Sequence, residues 1–151
     1  MIHRIRRRTL LPLPRAEVFP FFADAENLAP LTPPHLRFRF VTLPPRMEQG
    51  ALLEYRLRLH GVPFSWRTRI DVWEPESRFV DRQLRGPFGR WVHHHHFRQA
   101  PGGTEMLDEV EWALPLQPFG EIVRPLVRAE LERIFDHRHA AMRRLLLDEA
   151  G

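Results

Sequence analysis

From Ala51 to Val72 the chain obeys one rule: side chains of opposite character take turns. Ala51, Leu53, Tyr55, Leu57 and Leu59 interleave with Leu52, Glu54, Arg56, Arg58 and His60, and Phe64, Trp66, Thr68, Ile70 and Val72 with Ser65, Arg67, Arg69 and Asp71. Successive side chains on a strand point to opposite faces, so a period of two predicts strands buried on one side. The breaks are turn sequences: His60-Gly61-Val62-Pro63, Glu74-Pro75-Glu76-Ser77, Gly86-Pro87 and Pro101-Gly102-Gly103. Connections this short join antiparallel neighbours. Further strands are therefore expected over 78–84, 88–99 and 104–114. The alternation of Leu36, Phe38 and Phe40 with Arg37 and Arg39 predicts another upstream, and residues 2–11 an opening one.

A sheet with one apolar face needs a cover. Gly120–Glu149 has a helical period, with Val123, Val127, Leu131, Ile134, Ala141 and Leu145 in one stripe, widened by Leu126, Phe135 and Met142. Glu132, Arg133, Asp136, Arg143 and Arg144 fall on the wet side. Between the opening strand and the meander, PRAEVFPFFADAENLAPLTPP reads as two short helices. Val18, Phe21, Phe22 and Ala25 mark the first, which Pro20 shortens or kinks, and the second spans Glu26 to Leu31. The expected architecture is α+β: a curved antiparallel sheet of about seven strands wrapped on a long C-terminal helix, in one domain over 1–151. Such a sheet can leave a cavity under the helix.

The run RWVHHHHFRQ, Arg90–Gln99, is the chemical anomaly. Parity resolves it. Trp91, His93, His95 and Phe97 share a face, and the two large aromatics assign that face to the interior. Val92, His94, His96 and Arg98 then face solvent. The same test turns Asp108 inward with Met106, Val110 and Trp112, and turns Asp81 and Gln83 inward beside Phe79. Arg138, set among Ile134, Phe135, Ala141 and Met142, can reach the sheet and pair with Asp81 or Asp108.

Inward polar groups are costly unless partnered. Four readings compete: a polar end for an otherwise apolar ligand, a metal site built on His93, His95 and one aspartate, a His–Asp general base, or a purely structural network. Trp66, Thr68, Trp91, Phe97, Trp112 and Phe135 are wall candidates if the core is hollow and plain core if it is not. The loops Leu43–Met47 and Leu84–Phe88 are candidate mouths.

Composition removes other classes. No cysteine is present, which excludes disulfides, thiolate metal sites and a cysteine nucleophile, and suits a reducing cytoplasm. All 23 basic residues are arginine, and the net charge is only +4. The cluster Arg4, Arg6, Arg7, Arg8 is read as the wet face of a strand, not as a nucleic-acid patch, because no aromatic platform accompanies it. MIHRIRRRTLLPLP lacks the apolar stretch of a signal peptide, and no run is long enough to span a membrane. Serine occurs only at Ser65 and Ser77, and Gly-rich phosphate loops, nucleophile elbows and zinc-protease motifs are missing.

Several stretches together resemble the SRPBCC superfamily of START lipid-transfer domains, polyketide cyclases and Bet v 1 allergens. They are EVFPFFADAENLAPLTPP, W-x-T-x-I at Trp66–Ile70, FVDRQLRGPF at Phe79–Phe88, W-x-H-x-H-x-F at Trp91–Phe97, GGTEMLDEV at Gly102–Val110 and IFDHR at Ile134–Arg138. They are most similar to its bacterial branch of small ligand-binding members, some fused to an epimerase-like domain. The resemblance implies the helix-grip fold and a hydrophobic or amphipathic small-molecule ligand; it implies no metal, and no cofactor is expected. It leaves a homodimer and a functional link to an epimerase-like protein open. The expected ligand-binding set is Trp66, Thr68, Asp81, Gln83, Trp91, His93, His95, Phe97, Asp108, Trp112, Phe135 and Arg138. The alternative is a cyclase- or dehydratase-type enzyme using His93 or His95 with Asp108.

Overall fold

The computed structural model describes residues 1–148. Seven strands form one antiparallel sheet: β1 (His3–Leu11), β2 (Arg39–Phe40), β3 (Leu52–Leu59), β4 (Val62–Glu74), β5 (Arg78–Arg85), β6 (Arg90–Ala100) and β7 (Gly103–Ala113). Their spatial order is β1-β7-β6-β5-β4-β3-β2, so the meander runs on unbroken and β1 closes onto the last strand. Helices α1 (Arg15–Ala23) and α2 (Leu28–Leu31) follow β1, and α3 (Arg124–Arg143) ends the fold. This is the helix-grip architecture that the alternation and the terminal helical period predict. No helix among the described residues is long and apolar enough to cross a membrane.

The β3–β4 turn is tighter than the sequence suggests. Only His60 and Gly61 lie outside the ladder, both at positive φ (50° and 79°), and Leu59 pairs with Val62. Two left-handed residues match the twist of the flanking strands, and glycine takes the second at no steric cost. The upstream strand shrinks to Arg39–Phe40, because Pro34–Leu36 forms a 3-10 turn and Arg37 turns left-handed (φ 52°).

The helices depart from their predicted stripes in three places. In α1, Phe19 is buried and Phe21 only half-buried, because α1 lies across the end of the sheet and Phe19 meets Phe97, Phe79 and Trp73 there. The last helix begins at Arg124, after a 3-10 turn over Phe119–Val123, which leaves Val123 and Leu126 exposed. At its other end, a π-turn over Arg144–Asp148 rotates the face, so Leu146 is buried in place of Leu145. The predicted end at Glu149 lies outside the described residues.

The core is divided. One apolar cluster, with Phe22, Phe97, Met106 and Met142, packs beneath α1. Another, with Trp66, Val110, Trp112, Leu131 and Phe135, packs nearer the start of α3. Between them on β6 lie His93 and His95, on β7 Asp108, and on α3 Arg138, all buried. A polar layer therefore crosses the interior between two apolar ones.

Candidate functional site

On β6 the odd-numbered histidines face the interior, as strand parity predicts. His93 and His95 are 7% and 4% exposed. The outer pair needs correction: His94 and His96 are half-buried, and their neighbour Val92 is buried. The outer face at this point also carries Arg82, Glu109 and Glu111, cross-strand neighbours of Val92 and His94, and Arg90 on the same strand, all held in ion pairs. Long side chains of this kind cover the sheet with their stems.

His93 Nε2 donates to Asp108 Oδ1 at 2.8 Å, and His95 Nε2 donates to Asp81 Oδ2 at 2.7 Å. Ionised carboxylates only accept, so each contact fixes the proton on Nε2. His95 Nδ1 lies between Asp108 Oδ1 at 3.3 Å and Arg138 Nη2 at 3.4 Å. Arg138 also donates to both oxygens of Asp108 at 3.5 Å and stands over the ring of Phe22 at 5.5 Å. The two imidazoles stack with centroids 3.6 Å apart, and Phe79 stacks on His95 from its other side at 3.9 Å.

The electrostatics follow from these contacts. Burial, reinforced by the charge of His95, pushes His93 down to about 4, so it is neutral at pH 7. With its proton on Nε2, His93 presents Nδ1 as a bare acceptor, 3.9 Å from Asp81 Oδ2. Burial opposes ionisation of Asp108, but Arg138 and the two histidines overcome it and hold the carboxyl well below the usual range. Burial is likewise outweighed at Asp81 by the His95 hydrogen bond and the surrounding cations, which hold it low.

A cavity of about 650 Å³ opens between the sheet and α3. Its walls come from β3, β4 and α3, with Tyr55, Leu57, Trp66, Leu131 and Phe135 among them, and Asp81, His93, His95 and Arg138 form a polar patch. Of the twelve expected site residues, Trp66, Thr68, Asp81, Trp91, His93, His95, Phe135 and Arg138 line it. Four do not. Gln83 staples the β5–β6 connection, donating to the Phe88 carbonyl at 2.8 Å and accepting from the Phe88 amide at 3.2 Å. Phe97 and Trp112 are packed core. Asp108 sits behind the histidines and positions them. Of the two expected mouth loops, Met47, Pro87 and Phe88 reach the cavity, while Leu43 is 93% exposed.

Several polar lining residues lie outside the expected set, Asp24, Thr32, His60 and Glu130 among them, and Glu130 is the most deeply buried of these. Glu130 is 6% exposed, although its place among charged residues suggests a wet face. Its carboxylate accepts from His35 at 2.8 Å and from Arg133 at 2.7 Å. Arg133, three residues along the helix, was the only local sign of that pairing.

Among the described residues, Asp81, His93 and His95 bring one ligand atom each within 4.8 Å of one another and are the group that could hold a metal ion. His95 Nε2 is engaged directly with Asp81 and the rings are stacked, which suits a hydrogen-bonded network without an ion.

The sequence model described as "Polyketide cyclase / dehydrase and lipid transport" matches residues 11–143. The chain belongs to this family. No curated protein matches it in sequence. Among solved structures it is similar to the Zhui aromatase/cyclase from Streptomyces sp. R1128, at 16% identity and TM-score 0.76, with 98% of each chain covered. It is also similar to Ara h 8.0201, at 15% identity and TM-score 0.67, covering 94% of this chain and 98% of that one. A third, the nucleoside-diphosphate sugar epimerase from Corynebacterium glutamicum, matches at 24% identity and TM-score 0.66, over 91% of this chain and 28% of that one. At these identities the likeness is one of fold.

Proposed function

We propose that this family member binds or carries a hydrophobic or amphipathic small molecule in the cavity between sheet and α3. The observation that carries the reading is the cavity itself: about 650 Å³, walled mainly by aromatic and aliphatic side chains, with a patch of Asp81, His93, His95 and Arg138 set into that wall. Small-molecule sites have this size and this division of labour, apolar walls for affinity and few polar groups for orientation. Gln83, Phe97, Asp108 and Trp112 support the site from behind. A reducing compartment suits a chain without cysteine. An epimerase-like protein is a natural partner, since a domain of this fold makes up part of the Corynebacterium epimerase.

Native mass spectrometry of the purified protein tests the reading. A retained small molecule, displaced by a hydrophobic fluorophore, is the expected result. A protein that carries nothing and takes up no apolar probe would refute it.

The His93–Asp108 contact favours a second reading, acid–base chemistry on a bound ligand. A neutral imidazole oriented by a buried carboxylate, its other nitrogen bare, is the arrangement of a general base. Turnover that vanishes in His93→Gln while probe binding persists would establish it.

A further inference from the structure

Among the described residues, three carboxylates line the cavity, those of Asp24, Asp81 and Glu130, against one guanidinium, that of Arg138. Arg138 is turned to Asp108. The interior is thus acidic inside a chain whose net charge is +4. Asp24 lies at the exposed rim and spends Oδ1 on the Glu26 amide. Glu130 spends one oxygen on His35 and the other on Arg133.

Asp81 is different. Both of its imidazole neighbours approach Oδ2. Among the described residues, Oδ1 takes no hydrogen bond, and the side chain lines the cavity. Beside it stands His93 Nδ1, also an acceptor without a donor. Tyr55 Oη and Thr68 Oγ1, 3.3 Å apart, lie near enough for the charge of Asp81 to act on Tyr55. One hydroxyl of that pair donates to the other, so the pair offers the cavity both a donor and an acceptor.

We propose that the ligand is an apolar molecule ending in a hydrogen-bond donor, an alcohol, phenol or amine, which it gives to Asp81 Oδ1, and that acid-headed molecules are refused. The proposal rests on the binding reading above and specifies its chemistry. A donor on an ionised carboxylate makes a charge-assisted bond in a site shielded from water. A carboxylate or phosphate head placed there would meet Asp81 with like charge and two bare acceptors, with no free cation to offset them.

Four probes sharing one ring system test this: pyrene, 1-pyrenemethanol, 1-pyrenemethylamine and 1-pyrenecarboxylate, titrated by fluorescence at pH 7.5 into wild type and Asp81→Asn. In wild type the alcohol and the amine are expected to bind roughly ten-fold or more tighter than the acid, the worth of one charge-assisted hydrogen bond. In Asp81→Asn that gap should close to within about three-fold while pyrene itself binds as before. Pyrene also reports whether the variant keeps its cavity; if it does not, the wild-type order decides alone. Equal binding of all four would overturn the head-group proposal and leave the binding reading standing. Tighter binding of the acid would also overturn it and place an anionic head on Arg138. Failure of every probe would sink both.

Discussion

His93 gives its hydrogen bond to Asp108, yet the residue directly opposite Asp108 on the neighbouring strand is His95. The same crossing recurs on the other side: His93 stands opposite Asp81, which accepts from His95. The two stacked rings thus bridge diagonally between strands β5 and β7, and Arg138 ties α3 to the same Asp108.

Removal of Asp108 should therefore be expensive. Asp108→Ala leaves the guanidinium of Arg138 buried without its carboxylate and His93 without its acceptor. The expected cost is about 3–5 kcal/mol, read from urea melts. Asp108→Leu combined with Arg138→Met should cost less than the sum of the singles, because it removes both charges. A loss below about 1 kcal/mol for Asp108→Ala would mean that the network does not hold the fold.

Acid should loosen the protein in a defined window. In the unfolded chain His93 charges near its ordinary 6.5, and in the folded one only near 4. Between these values the unfolded state binds the extra proton, so stability falls as pH falls. The contribution is present in full above about pH 6.5, and over the window it amounts to roughly 3 kcal/mol at most. Asp81 and Asp108, held low, add a further loss below their ordinary 3.8. Melts from pH 7 to 4 should slope steeply in wild type and less in His93→Gln. Equal slopes would show that His93 is not the titrating group.

Packing along α3 should grade with the cavity. Met142 is 1% exposed in the cluster beneath α1, so Met142→Ala leaves a hole and should cost about 2–5 kcal/mol. Ile134 is half-buried and lines the cavity, so Ile134→Ala widens an existing space and should cost under about 2 kcal/mol. Equal losses in denaturant melts would mean that the space beside Ile134 is filled.

Chelation offers a fourth check. If Asp81, His93 and His95 act as a hydrogen-bonded network, EDTA should leave the melting temperature unchanged. Stoichiometric zinc or iron in untagged protein, together with a fall in melting temperature on chelation, would promote the metal reading.

Much of this was legible in the sequence because strands obey parity. Trp91 and Phe97 fix the inner face of β6, and with it His93 and His95. Met106 and Val110 do the same for Asp108. Parity gives the face but not the depth, so it could not separate Asp81, which lines the cavity, from Gln83 two residues on, which turns to the Phe88 backbone. Nor could it show that the acid opposite a histidine is not the acid it bonds. Glu130 was hidden for another reason: its partner His35 lies 95 residues away, behind three prolines. The face occupied by Leu146 depends on a π-turn, and helical periodicity assumes that none occurs.

The polar end of the cavity and the anchor of α3 meet on one carboxylate, and this divides the interior into parts that can drift at different rates. Apolar wall positions such as Leu57 or Ile134 can exchange size for shape one substitution at a time, reshaping what fits. Asp81, His93, His95, Asp108 and Arg138 cannot be altered singly without exposing a partner's charge. Descendants of this chain that come to hold different molecules should therefore differ first in the wall and the mouth, and inherit the knot whole.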